Sequence, residues 1–313
     1  MDIKKELPGA KENTLLREYT TFKIGGRARY FFMAKEKEEL IKALKVAKKY
    51  KLPLFILGAG SNVLISGQWL RGLVIKIQDK KYKINGQRIF AEAGLPLAVL
   101  VKESIKRGLS GFEWAAGIPG TVGGATRGNA GAFGKSMKDI IEAVEFFNLN
   151  NFKISKIKNK KCKFNYRESI FKEKNNFIIL SVYLELKKSS KKIVKEKVRR
   201  FLAYRQNRHP RQPSAGSIFK GVGVKELGKI FFKKFPETKK VFIKKGIPAA
   251  FLIAQCKLEG KKIGKAQISE KHPNFIINLG GAKAGDVKKL INLTKKKVKN
   301  KFGILLEEEI QYL

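Results

Sequence analysis

The stretch of this chain best suited to chemistry is Ile118-Pro119-Gly120-Thr121-Val122-Gly123-Gly124-Ala125-Thr126-Arg127-Gly128-Asn129-Ala130-Gly131-Ala132-Phe133-Gly134, which follows Gly117. It is mostly glycine and other small residues, with Arg127 its single charge. Glycines this dense remove Cβ atoms and permit positive φ, so backbone can press on a flat or phosphorylated ligand. A flexible linker would carry serine and charge instead of Ile118, Val122 and Phe133. The competing reading is a buried glycine-rich turn between strands. A second cluster, Gly58-Ala59-Gly60-Ser61-Asn62, follows the apolar run Leu54-Phe55-Ile56-Leu57. It begins like a dinucleotide fingerprint, but the third glycine is missing, and Val63-Leu64-Ile65 reads as strand and not helix. The result is a strand–loop–strand whose small residues and N–H groups either cup a phosphate or form a plain tight turn.

Other chemistries are poorly supplied. The two cysteines, Cys162 and Cys256, and the two histidines, His209 and His272, cannot assemble a Cys/His metal cluster or a disulfide framework. No Gly-x-Ser-x-Gly elbow is present for a serine hydrolase. No apolar run approaches the ~20 residues of a membrane span, and the opening residues lack an apolar signal core, so a cytoplasmic location is expected. The formal net charge of +42 is abnormal and raises nucleic-acid binding as an alternative. The lysines are spread along the whole length with no separate basic tail, which points to a general lysine bias. A positive field still draws in anionic ligands.

Positioning falls to alternating strands and amphipathic helices. Residues 1–18 read as a loose polar lead-in, and residues 19–26 as a strand edge entering a Gly-Gly turn. Residues 35–51 form a helix by apolar spacing, followed by the strand 54–57. Strands are expected at 29–33, 72–77, 88–93, 140–149 and 177–186, and helices at 95–108 and 192–206. His209-Pro210-Arg211-Gln212-Pro213 breaks the chain, and a domain boundary is placed there. Beyond it a helix is expected at 248–258, strands at 262–269 and 275–279, and a helix over 285–302 stopped by Gly303. A final strand, 304–312, puts Glu307 and Glu309 on one side by its two-residue period.

The order of these landmarks resembles the UDP-N-acetylenolpyruvoylglucosamine reductases. They are TTFKIGG, GAGSN, IPGTVGGA with NAGA, YRESIFK, PSAGS with FK, AQISEKH with NFIIN, and LEEE. The short connection from Tyr166-Arg167 to Ser217 is similar to the family's second type, which lacks an extra substrate-covering loop. The resemblance implies an NADPH-dependent FAD enzyme that reduces UDP-N-acetylglucosamine enolpyruvate to UDP-N-acetylmuramate for peptidoglycan. It further implies an α+β fold: two FAD-binding subdomains of the vanillyl-alcohol-oxidase (PCMH) type and a smaller α+β substrate domain. The expected divisions are 19–82 and 83–208 for FAD, 209–302 for substrate, and 303–313 as a strand returning to the active site.

By that resemblance the flavin is held by Gly58, Ala59, Gly60, Ser61, Asn62, Pro119, Gly120, Thr121, Val122, Gly123, Gly124, Asn129, Gly131 and Ala132. Arg167 would grip the substrate carboxylate, Glu309 would be its polar partner, and Ser217 would protonate the enolate left by hydride addition. Tyr166, Lys220 and His272 are the expected substrate contacts, and no resident metal is expected. The chain departs from the usual pattern at Gly221-Val222, where Asn-Pro is common, at Gly128, where Met is common, and at Phe133, where Tyr is common. The alternatives are a basic nucleic-acid-binding protein on the same fold and another FAD oxidoreductase.

Overall fold

The structure is a computed structural model and describes residues 3–65, 67, 69–223, 227, 229–236 and 246–313. Residues 1 and 2 of the expected lead-in lie outside this set. The chain packs as two units, the first comprising Met1–Leu15, Arg27–Ala59 and Trp69–Asn207. The second comprises Leu16–Gly26, Gly60–Gln68 and Arg208–Leu313.

The two larger sheets described in the first unit share one continuous core. Its four-stranded sheet runs in the order Lys11–Leu15, Arg27–Ala34, Trp69–Ile77, Leu54–Leu57, with the last three parallel. Parallel strands need a covering layer, and the helix Lys37–Lys49 supplies it by burying Leu40, Ala43, Leu44, Val46 and Ala47. The five-stranded sheet is antiparallel throughout, in the order Lys153–Lys158, Ile141–Asn148, Phe177–Glu185, Arg88–Glu92, Tyr82–Asn85. Its central strand, Phe177–Glu185, buries residues on both faces, while Lys153–Lys158 at the edge is largely exposed and lysine-rich. Charged side chains at an edge discourage pairing with another chain. Helix Leu97–Arg107 ends where Gly108 takes a left-handed φ of 64°, and Lys191–Arg208 buries Val194 and Val198.

In the second unit, Ser214–Ser217, Phe275–Asn278, Ala266–Ile268 and Lys262–Ile263 form an antiparallel sheet in that order. Helix Ala284–Phe302 buries Val287, Leu290, Ile291, Thr294 and Val298 along one stripe and ends at Gly303, φ 72°. The tail strand Gln311–Tyr312 pairs in parallel with Val63–Leu64.

Four expectations need correction. The lead-in is ordered: Ile3 and Leu7 are buried, and Lys11–Leu15 pairs with Arg27–Ala34. Residues 19–26 contain no strand; they form turns that place Phe22 and Ile24 in the second unit's core. The single strand expected over 262–269 is a hairpin, because Gly264 with a φ of 54° turns the chain. The final strand is confined to Gln311–Tyr312, preceded by an isolated bridge between Glu308 and Phe219, and the Glu308 carboxylate pairs with Lys295 and Tyr312.

Candidate active site

Within the first unit, the glycine-rich stretch folds around a short helix that periodicity did not anticipate, Val122–Arg127. Thr121 caps it, its Oγ1 accepting from Gly124 N–H at 3.3 Å, while Val122 and Ala125 are buried. Gly123 N–H donates to the Ala93 carbonyl at 2.8 Å, and a Cβ on Gly123 would lie 2.7 Å from Ala93 Cβ. Gly123 is therefore glycine because the helix touches the backbone just past the strand Arg88–Glu92. Bulk at this position strikes Ala93 and not an open face. Pro119 and Gly124 are exposed, and a Cβ on Gly124 would meet only Thr121 Oγ1, at 3.4 Å. Gly124 is thus the open position of the pair.

The support beneath this stretch includes a buried carboxyl. Asp79 accepts from Gly94 N–H, and its other oxygen has no hydrogen-bond partner. Burial pushes the Asp79 carboxyl up to about 7; the Gly94 bond opposes this, and nearby Glu92 adds to it.

The unit boundary passes through the second glycine cluster, leaving Gly58 and Ala59 in the first unit. A Cβ on Gly58 would sit 2.6 Å from Thr121 Oγ1, so this glycine and the helix cap meet at a spot where only backbone fits. Lys76, on the adjacent strand, donates to the Gly58 carbonyl at 2.8 Å, and burial lowers its pKa. In the second unit, Gly60 has a φ of +66°, and its Cβ would lie 2.2 Å from the Tyr19 carbonyl. Thr21 ties this loop down, its N–H donating to the Gly60 carbonyl at 3.1 Å and its hydroxyl to that of Ser214 at 2.8 Å. Asn62 donates through Nδ2 to the Glu309 carbonyl at 3.1 Å, and Gln311 N–H donates to the Asn62 carbonyl at 3.0 Å. Ser61 is half-buried in the same loop.

Arg167 stands on a tight turn closed by reciprocal backbone bonds between Asn165 and Glu168, both 3.1 Å, and has a φ of 57°. Its guanidinium donates to the Gly131 carbonyl at 3.0 Å and lies 5.0 Å from the centre of the exposed Tyr166 ring. The Glu168 carboxylate is paired with Lys172 at 3.0 Å. Gly131 again has no room for a side chain, since its Cβ would be 2.4 Å from the Lys135 carbonyl. Ala132 pairs with Lys135 in the short hairpin beside it. Gly120 accepts from Leu97 N–H at 3.0 Å, fixing the entry to the helix.

In the second unit, Ser217 ends the strand Ser214–Ser217 opposite Phe275 and is half-buried. Glu309 N–H donates to the Ile218 carbonyl at 2.8 Å, so the segments carrying Ser217 and Glu309 are bound together. Asn274 fixes the same turn by exchanging bonds with Phe219: its Oδ1 accepts from Phe219 N–H at 3.0 Å and its Nδ2 donates to the Phe219 carbonyl at 2.9 Å. Lys220 pairs with Glu307 at 3.1 Å. Val222, in place of the usual proline, is buried and exchanges backbone bonds with Ile247, both 2.8 Å. His272 packs edge-on against His209 and Phe275; its Nδ1 is buried without a partner, and burial lowers its pKa.

These residues fit a flavin. Gly58 closes on Thr121 with no room for a Cβ, Gly124 stands open, and the exposed part of the stretch offers backbone and small side chains without a carboxylate. Sequence reasoning missed Asn165, Ser169, Lys76 and Asn274, which hold this machinery in shape. Their signal is a hydrogen bond across 18 to 55 residues of sequence, and no local spacing displays it. Among the described residues, no group of His, Cys, Asp and Glu is arranged to hold a metal ion.

Comparison with known proteins agrees with this geometry. Residues 208–313 match the C-terminal domain of UDP-N-acetylenolpyruvoylglucosamine reductase, and residues 28–151 match an FAD binding domain. A UDP-N-acetylenolpyruvoylglucosamine reductase of Caldicellulosiruptor bescii is 40% identical, covering 95% of this chain and 88% of the relative. That of Caldanaerobacter subterraneus subsp. tengcongensis is 38% identical, covering 96% and 92%. The crystal structure of the Thermus caldophilus reductase (MurB) superimposes with a TM-score of 0.76 at 31% identity, covering 96% of this chain and 97% of that one. The α+β fold with an FAD binding domain is the one expected, and the chain belongs to the UDP-N-acetylenolpyruvoylglucosamine reductase family.

Proposed function

We propose that this chain reduces UDP-N-acetylglucosamine enolpyruvate to UDP-N-acetylmuramate with FAD and NADPH, in the cytoplasm, and that Arg167, Ser217 and Glu309 carry the chemistry. Family membership across most of the chain is the observation that supports this reading most strongly. Among the described residues no helix is long and apolar enough to cross a membrane.

When bound, FAD supplies a hydride, taken from NADPH, to the vinyl carbon of the enolpyruvyl ether. The backbone of residues 58–62 and 119–132 is proposed to hold it, with residues 19–82 and 83–208 as its two subdomains. Arg167 holds the substrate carboxylate, where negative charge grows as the enolate forms, and its permanent charge and two-point grip suit that task. Glu309 orients the carboxyl group from the segment bonded to Ile218. Ser217 Oγ gives its proton to the enolate carbon; a hydroxyl is a weak acid, but the enolate is basic enough to take the proton. Tyr166, from residues 83–208, and Lys220 and His272, from a substrate domain spanning 209–302, contact the nucleotide sugar, and residues 303–313 return to the active site.

Ser217→Ala tests the assignment by separating the two half-reactions. Reduction of the flavin by NADPH should stay within a few-fold of wild type, while reoxidation by the enolpyruvyl substrate should slow by ~100-fold or more. Stopped-flow absorbance follows each half. Equal slowing of both halves would make Ser217 a shaping residue, and no slowing in either would remove it from the mechanism.

A further inference from the structure

Asn129 lies in the middle of the glycine-rich stretch, is buried, and holds a left-handed φ of 41°. Both ends of its amide are used by the protein. Nδ2 donates to the Asn165 carbonyl at 2.8 Å, and Oδ1 accepts from Lys138 N–H at 3.0 Å. Asn165 opens the turn that carries Arg167, and two further bonds fasten that turn to the same stretch. Arg167 Nη2 donates to the Gly131 carbonyl at 3.0 Å, and Ser169 Oγ donates to the Arg127 carbonyl at 2.6 Å. Residues 127, 129 and 131 thus each hold one point of the turn. Two of the three do so through carbonyls that any residue would provide. Asn129 does so through its side-chain amide.

The chemistry of the position selects asparagine. Its backbone needs a residue tolerant of the left-handed region, which favours Asn, Asp and Gly. Facing a carbonyl on one side and an N–H on the other, the side chain must donate and accept at once, which an amide does and a carboxylate does not. From these bonds we infer that Asn129 is the positioning residue for Arg167, locking the cation's turn to the stretch assigned to the flavin. The inference rests on the reading of Arg167 as the carboxylate-holding cation. Its consequence is selectivity: Asn129 sets how well the protein tells a carboxylate-bearing UDP-sugar from one without that group.

The test measures binding, by calorimetry on holoenzyme, of UDP-N-acetylmuramate, which carries the carboxylate, and UDP-N-acetylglucosamine, which does not. Wild type, Asn129→Asp, Asn129→Gly and Arg167→Lys are compared. Arg167→Lys should weaken UDP-N-acetylmuramate by ~10-fold and leave UDP-N-acetylglucosamine within about two-fold. Both Asn129 variants, compared at full FAD occupancy, should show the same selective loss. The glycine variant keeps the backbone and adds no charge, so a loss shared by both is not repulsion by a new carboxylate. If Arg167→Lys loses the carboxylate preference while both Asn129 variants keep it, the positioning role is overturned and the reading of Arg167 stands. If Arg167→Lys itself keeps the preference, the assignment of Arg167 fails, and the inference falls with it. Equal weakening of both ligands, or failure of both Asn129 variants to fold as holoenzyme, would make Asn129 a residue of the fold and overturn the proposal.

Discussion

The glycine-rich stretch of the first unit and the acidic run Glu307-Glu308-Glu309 of the second are both runs of near-identical residues with dissimilar duties. Gly123 is set by contact with Ala93, Gly131 by the Lys135 carbonyl, and Gly124 by neither. Glu307 is 67% exposed and pairs with Lys220, Glu308 is more buried and pairs with Lys295 and Tyr312, and Glu309 is bonded through its backbone to Ile218. The two regions differ in what determines the residue. At a glycine it is the volume that a Cβ would occupy, so the constraint is steric and severe. At a glutamate it is the partner, so the constraint is electrostatic, graded by exposure, and mild where water competes.

The largest expected effect is at Gly123. Gly123→Val should destabilise the flavin-free protein by about 1–3 kcal/mol or more, read from its urea unfolding curve, because the side chain meets Ala93 with no room to move. Gly124→Val should leave that curve within ~1 kcal/mol and still lose FAD on purification, since its side chain enters the open face. Normal FAD content in Gly124→Val would take this glycine off the cofactor's surface.

Asp79 extends the comparison to a carboxyl whose second oxygen has no hydrogen-bond partner among the described residues. Its pKa is about 7 in the fold against 3.8 for the ordinary side chain, so between those values the folded state binds the extra proton. Its contribution to stability is fully present below about pH 4 and is lost as pH rises through about 7. Asp79→Asn should remove that loss, stabilising the protein at pH 8 relative to wild type by on the order of a few kcal/mol, with little change at pH 4. Parallel unfolding curves for the two proteins from pH 4 to 8 would contradict this. The smallest effects belong to the acidic run. Glu308→Gln should cost about 1 kcal/mol, and Glu307→Gln less than about 0.5 kcal/mol, by thermal unfolding. A larger loss at the exposed Glu307 would invert the ordering by burial.

The long elements were legible because their apolar periods outweigh local detail. Lys37–Lys49, Leu97–Arg107 and Ala284–Phe302 each bury the face that spacing marked, and Gly108 and Gly303 end two of them as left-handed caps. Helix Val122–Arg127 was hidden because two adjacent glycines oppose helix by ~1 kcal/mol each; the Thr121 cap and burial of Val122 and Ala125 offset them. Residues 3–15 looked loose because their apolar content is sparse, yet Ile3 and Leu7 find a core already built. In the site, the glycine clusters could be read from composition, and Arg167 from the motif that carries the family resemblance. The bonds from Asn129 to Asn165 and from Asn62 to the Glu309 carbonyl could not, since the partners lie 36 and 247 residues apart.

The second unit draws Leu16–Gly26 and Gly60–Gln68 from the N-terminal part of the chain and the rest from Arg208–Leu313. During synthesis the two early segments leave the ribosome well before the sheet and the long helix that complete their core. Phe22 and Ile24, both destined for that core, must stay uncovered while more than a hundred residues are added. The parallel pairing of Gln311–Tyr312 with Val63–Leu64 closes only when the last residues arrive. Non-local closure of this kind slows folding and lengthens the time that apolar surface is exposed. A chain ending near residue 207 would never bury those side chains, and aggregation of that fragment is the expected cost of the arrangement.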